Sequence, residues 1–419
     1  MSDGVGDTLI VAIFIATYLG MALGRFPGLR IDRTGIALLG AIVLLATGTV
    51  DLAGSTRFVD LPTILLLFGL MILSAQFATS GFYDGVAAAI ARAAGTPARL
   101  LAVTVLTAGG LSAVLANDIV VFAMTPLLCL GLRQRGLNPV PFLIALACAA
   151  NAGSAATVIG NPQNILIAQV GRLDFVVFLV HCAVPALAGM AITVAVIAWQ
   201  WRGRWHAAGE IAISTTPAAV TPLVRDRGAF IKATVATAVL LALFFTAVPR
   251  ELSALAIAGL LLASRTVASR EIVGAVDFSL LLLFIALFVV TGALAATPLA
   301  TESFQALAAA GLLPDRLAVL APLSLLLSNT IGNVPATILL LQVWPDPPAD
   351  ALYGLALLAT LAGNLLIVGS LANIITVERA AAVGVHLGFA AHARAGIPVT
   401  LLSMAFAAAW LWWLGALPL

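Results

Sequence analysis

Long apolar runs alternate with short polar interruptions along this chain. A helix needs about 20 apolar residues to cross a bilayer. Runs of that kind cover roughly 8–24, 35–52, 61–79, 141–169, 175–200, 229–247, 252–264, 273–295, 351–377 and 396–418. Two further apolar regions, 100–132 and 317–342, are interrupted at mid-length. The first breaks at Ala116, Asn117 and Asp118. The second breaks at Ser328, Asn329 and Thr330, with Gly332, Asn333 and Pro335 following. Their arms are short for a full crossing, so both regions read as re-entrant hairpins that dip in and return on the same side. The pattern predicts an all-α polytopic membrane protein with about 10 spanning helices and two hairpins.

Two of the spans carry polar breaks of their own. Asn151 to Asn164 reads NAGSAATVIGNPQN, and Asn364 to Asn373 reads NLLIVGSLAN. Lipid cannot satisfy the amides or backbone of such segments, so they must be buried in protein or line a cavity. A membrane helix interrupted by Gly and Pro at mid-depth points to a transporter's binding site. Spans 141–169 and 351–377 are therefore expected to be discontinuous.

The order of features repeats. Val59-Asp60 before LPTILLLF resembles Val276-Asp277 before FSLLLLF. Amphipathic stretches follow, Gly81–Ala94 and Thr301–Leu312, expected to lie along the interface. Then come the two hairpins and the two broken helices. Residues 1–58 form N-terminal scaffold helices, 59–200 a first repeat, 201–228 a cytoplasmic linker, 229–272 further scaffold helices and 273–418 a second repeat. With the N-terminus outside and the hairpins not crossing, 16 of the 20 Lys and Arg residues fall inside. In that orientation Asp60 lies outside and Asp277 inside, so the repeats have inverted topology.

Composition narrows the class. The chain is 62% hydrophobic and 9% charged, where soluble domains carry roughly 25% charged residues. A net charge of +2 gives no case for nucleic acid. Cys129, Cys148 and Cys182 sit in apolar runs and argue against a disulfide framework. The acidic start, MSDGVGDTLI, lacks the basic region of a cleavable signal peptide. No metal-ligand spacing, phosphate loop or Ser/His/Asp set is evident, so the chain is not expected to be an enzyme or to hold a cofactor. An ATPase subunit is compatible with this reading but not required by it.

Asp118 is the acidic residue placed deep in a predicted membrane region, where a charge is costly and marks function. It is a candidate proton carrier, or a partner in holding sodium; the bland alternative is a carboxylate bonded to hairpin amides. No Lys or Arg is expected in the core to pair with it. Asn117 and Asn329 offer both an acceptor for a cation and donors for an oxyanion, and Ser328, Thr330 and Asn333 add hydroxyl and amide groups. In the first broken helix, Asn151, Ser154, Thr157, Asn161 and Asn164 are candidate ligands; Gly153, Gly160 and Pro162 are expected to unwind the backbone. Asn364, Ser370 and Asn373 are the second-half equivalents, with Gly369 as the flexible point. Gly332 and Pro335 break the second hairpin. His181 is expected near the outer end of a span; His206, His386 and His392 fall in predicted cytoplasmic segments.

At NAGSAATVIGNPQN and SNTIGNVPA the chain resembles the ion transporter superfamily, and within it ArsB-like arsenite permeases and citrate-transporter-like proteins. Divalent anion/sodium symporters, NhaD-type antiporters and the melanosomal P protein are more distant. The resemblance covers about 35–418. It implies an elevator mechanism and a homodimer built on the scaffold helices. The symporters carry Ser-Asn-Thr at both tips; here it stands at 328–330, but the first tip reads Ala116-Asn117-Asp118. That departure leans towards the arsenite/anion branch and proton coupling. The expected function is secondary transport of a small inorganic or organic anion, of arsenite-efflux or citrate type, coupled to protons or sodium across the bacterial inner membrane. Sodium/proton antiport is the alternative.

Overall fold

The computed structural model describes residues 3–23, 31–93, 95–206, 226–263 and 267–418. Most of the expected linker 201–228 lies outside the described residues, as do Arg25, Arg30, Arg225 and Arg265. The described elements are helical, apart from an isolated bridge between Leu137 and His206. Among the described residues, six helices are long and apolar enough to cross a membrane: Asp3–Leu23, Leu61–Thr79, Pro97–Val114, Phe175–Gln200, Phe278–Ala295 and Phe389–Trp413.

The hairpins form where the polar interruptions predict them, with two corrections. In the first, Pro97–Val114 and Asn117–Gln134 are 18 residues each, about 27 Å at 1.5 Å per residue. Arm length alone therefore does not make it re-entrant. In the second, Leu317–Thr330 continues through Ser328, Asn329 and Thr330 without a break. The chain turns at Ile331 and Gly332 instead, and Asn333–Val343 follows. Gly332 has φ +95°, a conformation that side chains with a Cβ rarely adopt, so the turn falls on the residue without one. Pro335 lies in the first turn of the next helix, where the amide it lacks has no intrahelical partner.

Both broken helices are discontinuous. Pro139–Ser154 stops and Pro162–Val170 resumes; Ala349–Ala362 stops, Ile367–Gly369 makes one 3-10 turn, and Leu371–Ala382 resumes. Every side chain of Pro139–Ser154 except Val140 is buried. A helix apolar all round has no solvent face and must sit in the core. Pro162 opens the second segment rather than interrupting one. Gly153 is helical, so it does not unwind the backbone. Its role is close approach, because a Cβ there would collide with the Gly109 backbone on Pro97–Val114. Gly153→Val should therefore lower stability by about 1–3 kcal/mol through overpacking. A thermal midpoint in detergent equal to wild type would refute that packing role.

Asp60 and Asp277 cap their helices alike. Asp60 Oδ1 accepts from the Thr63 amide at 2.8 Å, and Asp277 Oδ1 from Leu280 at 3.0 Å. Of the amphipathic helices, Phe82–Arg92 packs against the first hairpin, whereas Pro298–Ala309 buries no residue.

Candidate functional site

The two breaks meet and bond to each other. Asn151 is fully buried at the end of the first broken helix. Its Nδ2 donates to Asn364 Oδ1 at 2.8 Å and to Asn373 Oδ1 at 3.2 Å. Its Oδ1 accepts from Ser370 Oγ at 2.9 Å and from Asn117 Nδ2 at 3.3 Å. One side chain thus joins the first hairpin to the break and the resuming segment of the second broken helix.

The bonding is reciprocal. A shift of 209 residues carries 151 onto 360, 161 onto 370 and 164 onto 373. Ser370 Oγ donates to Asn151 Oδ1 at 2.9 Å; Asn161 Nδ2 donates to Thr360 Oγ1 at 3.4 Å. Asn151 Nδ2 reaches Asn373 Oδ1 at 3.2 Å; Thr360 Oγ1 reaches Asn164 Oδ1 at 3.3 Å. The same shift relates the carbonyls that each break frees. Asn164 Nδ2 donates to Ser154 and Thr157 carbonyls at 3.2 and 3.0 Å. Asn373 Nδ2 donates to Gly363 and Leu366 carbonyls at 2.7 and 3.0 Å. Carbonyls left by an interrupted helix need donors in the absence of water, and these amides supply them. Asn161 and Ser370 cap the resuming segments, accepting from the Asn164 amide at 2.8 Å and the Ala372 amide at 3.3 Å.

Each hairpin tip docks on the break of its own half. The Asn117 amide donates to the Gly160 carbonyl at 3.2 Å. Thr157 Oγ1 bonds the Ala113 carbonyl. Asn329 Nδ2 donates to the Ala362 carbonyl at 2.9 Å, and its Oδ1 accepts from the Leu366 amide at 3.2 Å. Ser328 Oγ donates to the Ala359 carbonyl at 3.3 Å. Asn329 thus has both ends of its amide committed. Asn117 does not: among the described residues its Oδ1 is buried without a partner, as is Ser112 Oγ in the same hairpin. Asn333 is buried, and its Oδ1 accepts from the Val334 amide. Thr330 is not brought to the site. It is exposed and bonds back to its own helix at Leu326 and Leu327.

Asp118 turns away from this network into a cavity of about 640 Å³. Asn161 and Pro162 of the first break also line it, with Asp84, Asp277 and Arg379. Arg379 lines this cavity too, but among the described residues it does not pair with Asp118. Arg379 stands one turn after Ile375 on Leu371–Ala382, and both line the cavity. From sequence, the arginine reads as a cytoplasmic helix end; the fold turns that end inward.

Sequence reasoning also missed Gln163, Thr360 and His392. Gln163 Nε2 donates to Thr360 Oγ1 at 3.1 Å. Applying the 209-residue shift to Asn151 would have found Thr360. His392 was expected in a cytoplasmic segment. It is fully buried, with Nε2 3.2 Å from the Asn364 carbonyl. His181 stacks on Tyr353 at 4.5 Å between ring centroids and accepts nothing from the site. Trp412 and Trp413 are exposed on the last helix, as a belt would be.

Comparison with known proteins gives the chain relatives. A family model described as citrate transporter, CitMHS, matches residues 10–346. A 46 kDa membrane protein of Mycobacterium leprae is 30% identical, over 97% of this chain and 98% of that protein. The silicon efflux transporter LSI3 of Oryza sativa is 27% identical, over 90% and 91% respectively. Among solved structures, the YdaH transporter of Alcanivorax borkumensis superposes with a TM-score of 0.57 over 98% of both chains. Its sequence identity is 14%, so it speaks to fold alone.

Proposed function

This chain belongs to the citrate transporter family, as a multi-pass membrane transporter of secondary anion type rather than an enzyme, and we propose that it moves a small carboxylate or oxyanion by coupling to a proton or sodium gradient. The crossed amide network carries this reading, because it joins two helix breaks beside a cavity that Asp118 enters. A volume near 640 Å³ suits a small organic anion. The 209-residue reciprocity supports two inverted repeats, 59–200 and 273–418, with the hairpins and broken helices moving as one body against scaffold helices 1–58 and 229–272. The moving body is the elevator of an alternating-access cycle. The protein works as a homodimer in the bacterial inner membrane with its N-terminus outside, an orientation supported by the charge bias of its loops.

Asp118 is the coupling carboxyl. It gains and loses a proton as the cavity opens to either side. A sodium-coupled version has one observation in its favour: Asn117 Oδ1 and Ser112 Oγ are acceptors at the first tip without partners. Buried polar atoms are rarely left so.

The test is flux in proteoliposomes with citrate, succinate, sulfate and arsenite, under an imposed pH or sodium gradient. Gradient-driven uptake of at least one anion is expected. Sodium/proton exchange with no anion moving would replace this reading by antiport.

A further inference from the structure

Arg379 is the charge in the cavity that the amide network leaves unexplained. Its Cζ lies 4.0 Å from the centroid of the Phe122 ring. Phe122 belongs to the first hairpin, one turn after Asp118, whereas Arg379 belongs to the second broken helix. The two halves therefore meet at this contact. A guanidinium over an aromatic face is held by the ring's quadrupole, and its N–H edges stay open.

Among the described residues, no group takes up those edges. Arg379 Nε is buried and has no hydrogen-bond partner among the described residues. Asp84, Asp118 and Asp277 line the same cavity. None of them pairs with Arg379 within the 4.0 Å of an ion pair. Two are engaged elsewhere: Asp277 caps Phe278–Ala295, and Asp84 lies in the first turn of Phe82–Arg92, where a negative charge is favoured. An unpaired guanidinium N–H away from water carries a desolvation penalty unless a ligand takes it up.

We propose that Arg379 recognises the cargo, and that what it binds is a carboxylate of an organic anion. The inference rests on the anion-transport reading above and narrows it. The planar fork of a guanidinium offers two parallel N–H donors that match the two oxygens of a carboxylate. Arsenous acid is uncharged near neutral pH and gains little from such a group. Arg379 thus selects charged carboxylates over neutral hydroxides.

Citrate binding to the purified full-length protein in detergent, measured by calorimetry, tests this. Wild type, R379K, R379Q and the double variant R379Q/D118N would be compared. R379Q is expected to weaken citrate binding tenfold or more, and R379K to fall between it and wild type, because lysine keeps the charge but loses the fork. The double variant should bind as weakly as R379Q. Two results overturn the proposal: R379Q binding citrate within twofold of wild type, or R379Q/D118N regaining wild-type affinity. The second would make Arg379 a counter-charge for Asp118. If a single substitution prevents purification, F122A keeps the arginine and removes its support. It is expected to weaken citrate binding, and unchanged affinity counts against the proposal. Wild type that binds no citrate, succinate or sulfate sinks the anion reading itself, and this inference with it.

Discussion

Asp118→Asn should abolish proton-driven anion flux. The carboxyl faces the cavity, among the described residues it makes no ion pair, and Asn117 beside it is tied to the first break through Asn151 and the Gly160 carbonyl. Asparagine keeps the shape and hydrogen-bonding capacity but cannot carry a proton. The protein should still fold, because the side chain supports no other group. We expect flux driven by a pH gradient to fall by about tenfold or more, equivalent to at least roughly 1.4 kcal/mol in the coupled step. Anion exchange without a gradient should survive better than net uptake. Proteoliposome uptake with the interior made alkaline, then at equal pH, separates the two. A variant that concentrates anion against its gradient as wild type does would make Asp118 a structural carboxylate.

Asn151→Leu should have the second large effect, and on stability as well as flux. Leucine fits the volume but strips four hydrogen bonds from the centre of the molecule. It leaves Asn364 Oδ1 and Asn373 Oδ1 without that donor, and Asn117 Nδ2 and Ser370 Oγ without that acceptor. Each buried group so stranded costs about 1–3 kcal/mol, which sums to about 4 kcal/mol or more. The thermal midpoint in detergent should drop and transport should be lost. Asn151→Ser restores one polar atom and should recover part of the stability but not the flux. If Asn151→Leu melts with wild type, the two breaks are held together by packing around them and not by this amide.

The hairpin and helix breaks were legible because apolar runs and polar insertions are local features. A stretch such as NAGSAATVIGNPQN has only one way to exist at membrane depth: its amides must find partners, so it must be interior. That argument needs no knowledge of which partners.

The chain itself determined the helical class and the two interrupted helices, both of which follow from how a backbone behaves away from water. The turn in the second hairpin moved to Gly332 because backbone conformation, not polarity, chooses a turn residue. Only the tertiary structure decided that Asn151 answers Asn364, Asn373 and Ser370, more than two hundred residues away, and that Thr360 mirrors it. It likewise decided that Arg379 and His392 face inward. Their local sequence is that of a helix end near water, and a helix end turns inward or outward according to what docks against it. Such pairings depend on how the two halves meet, which no window of sequence contains.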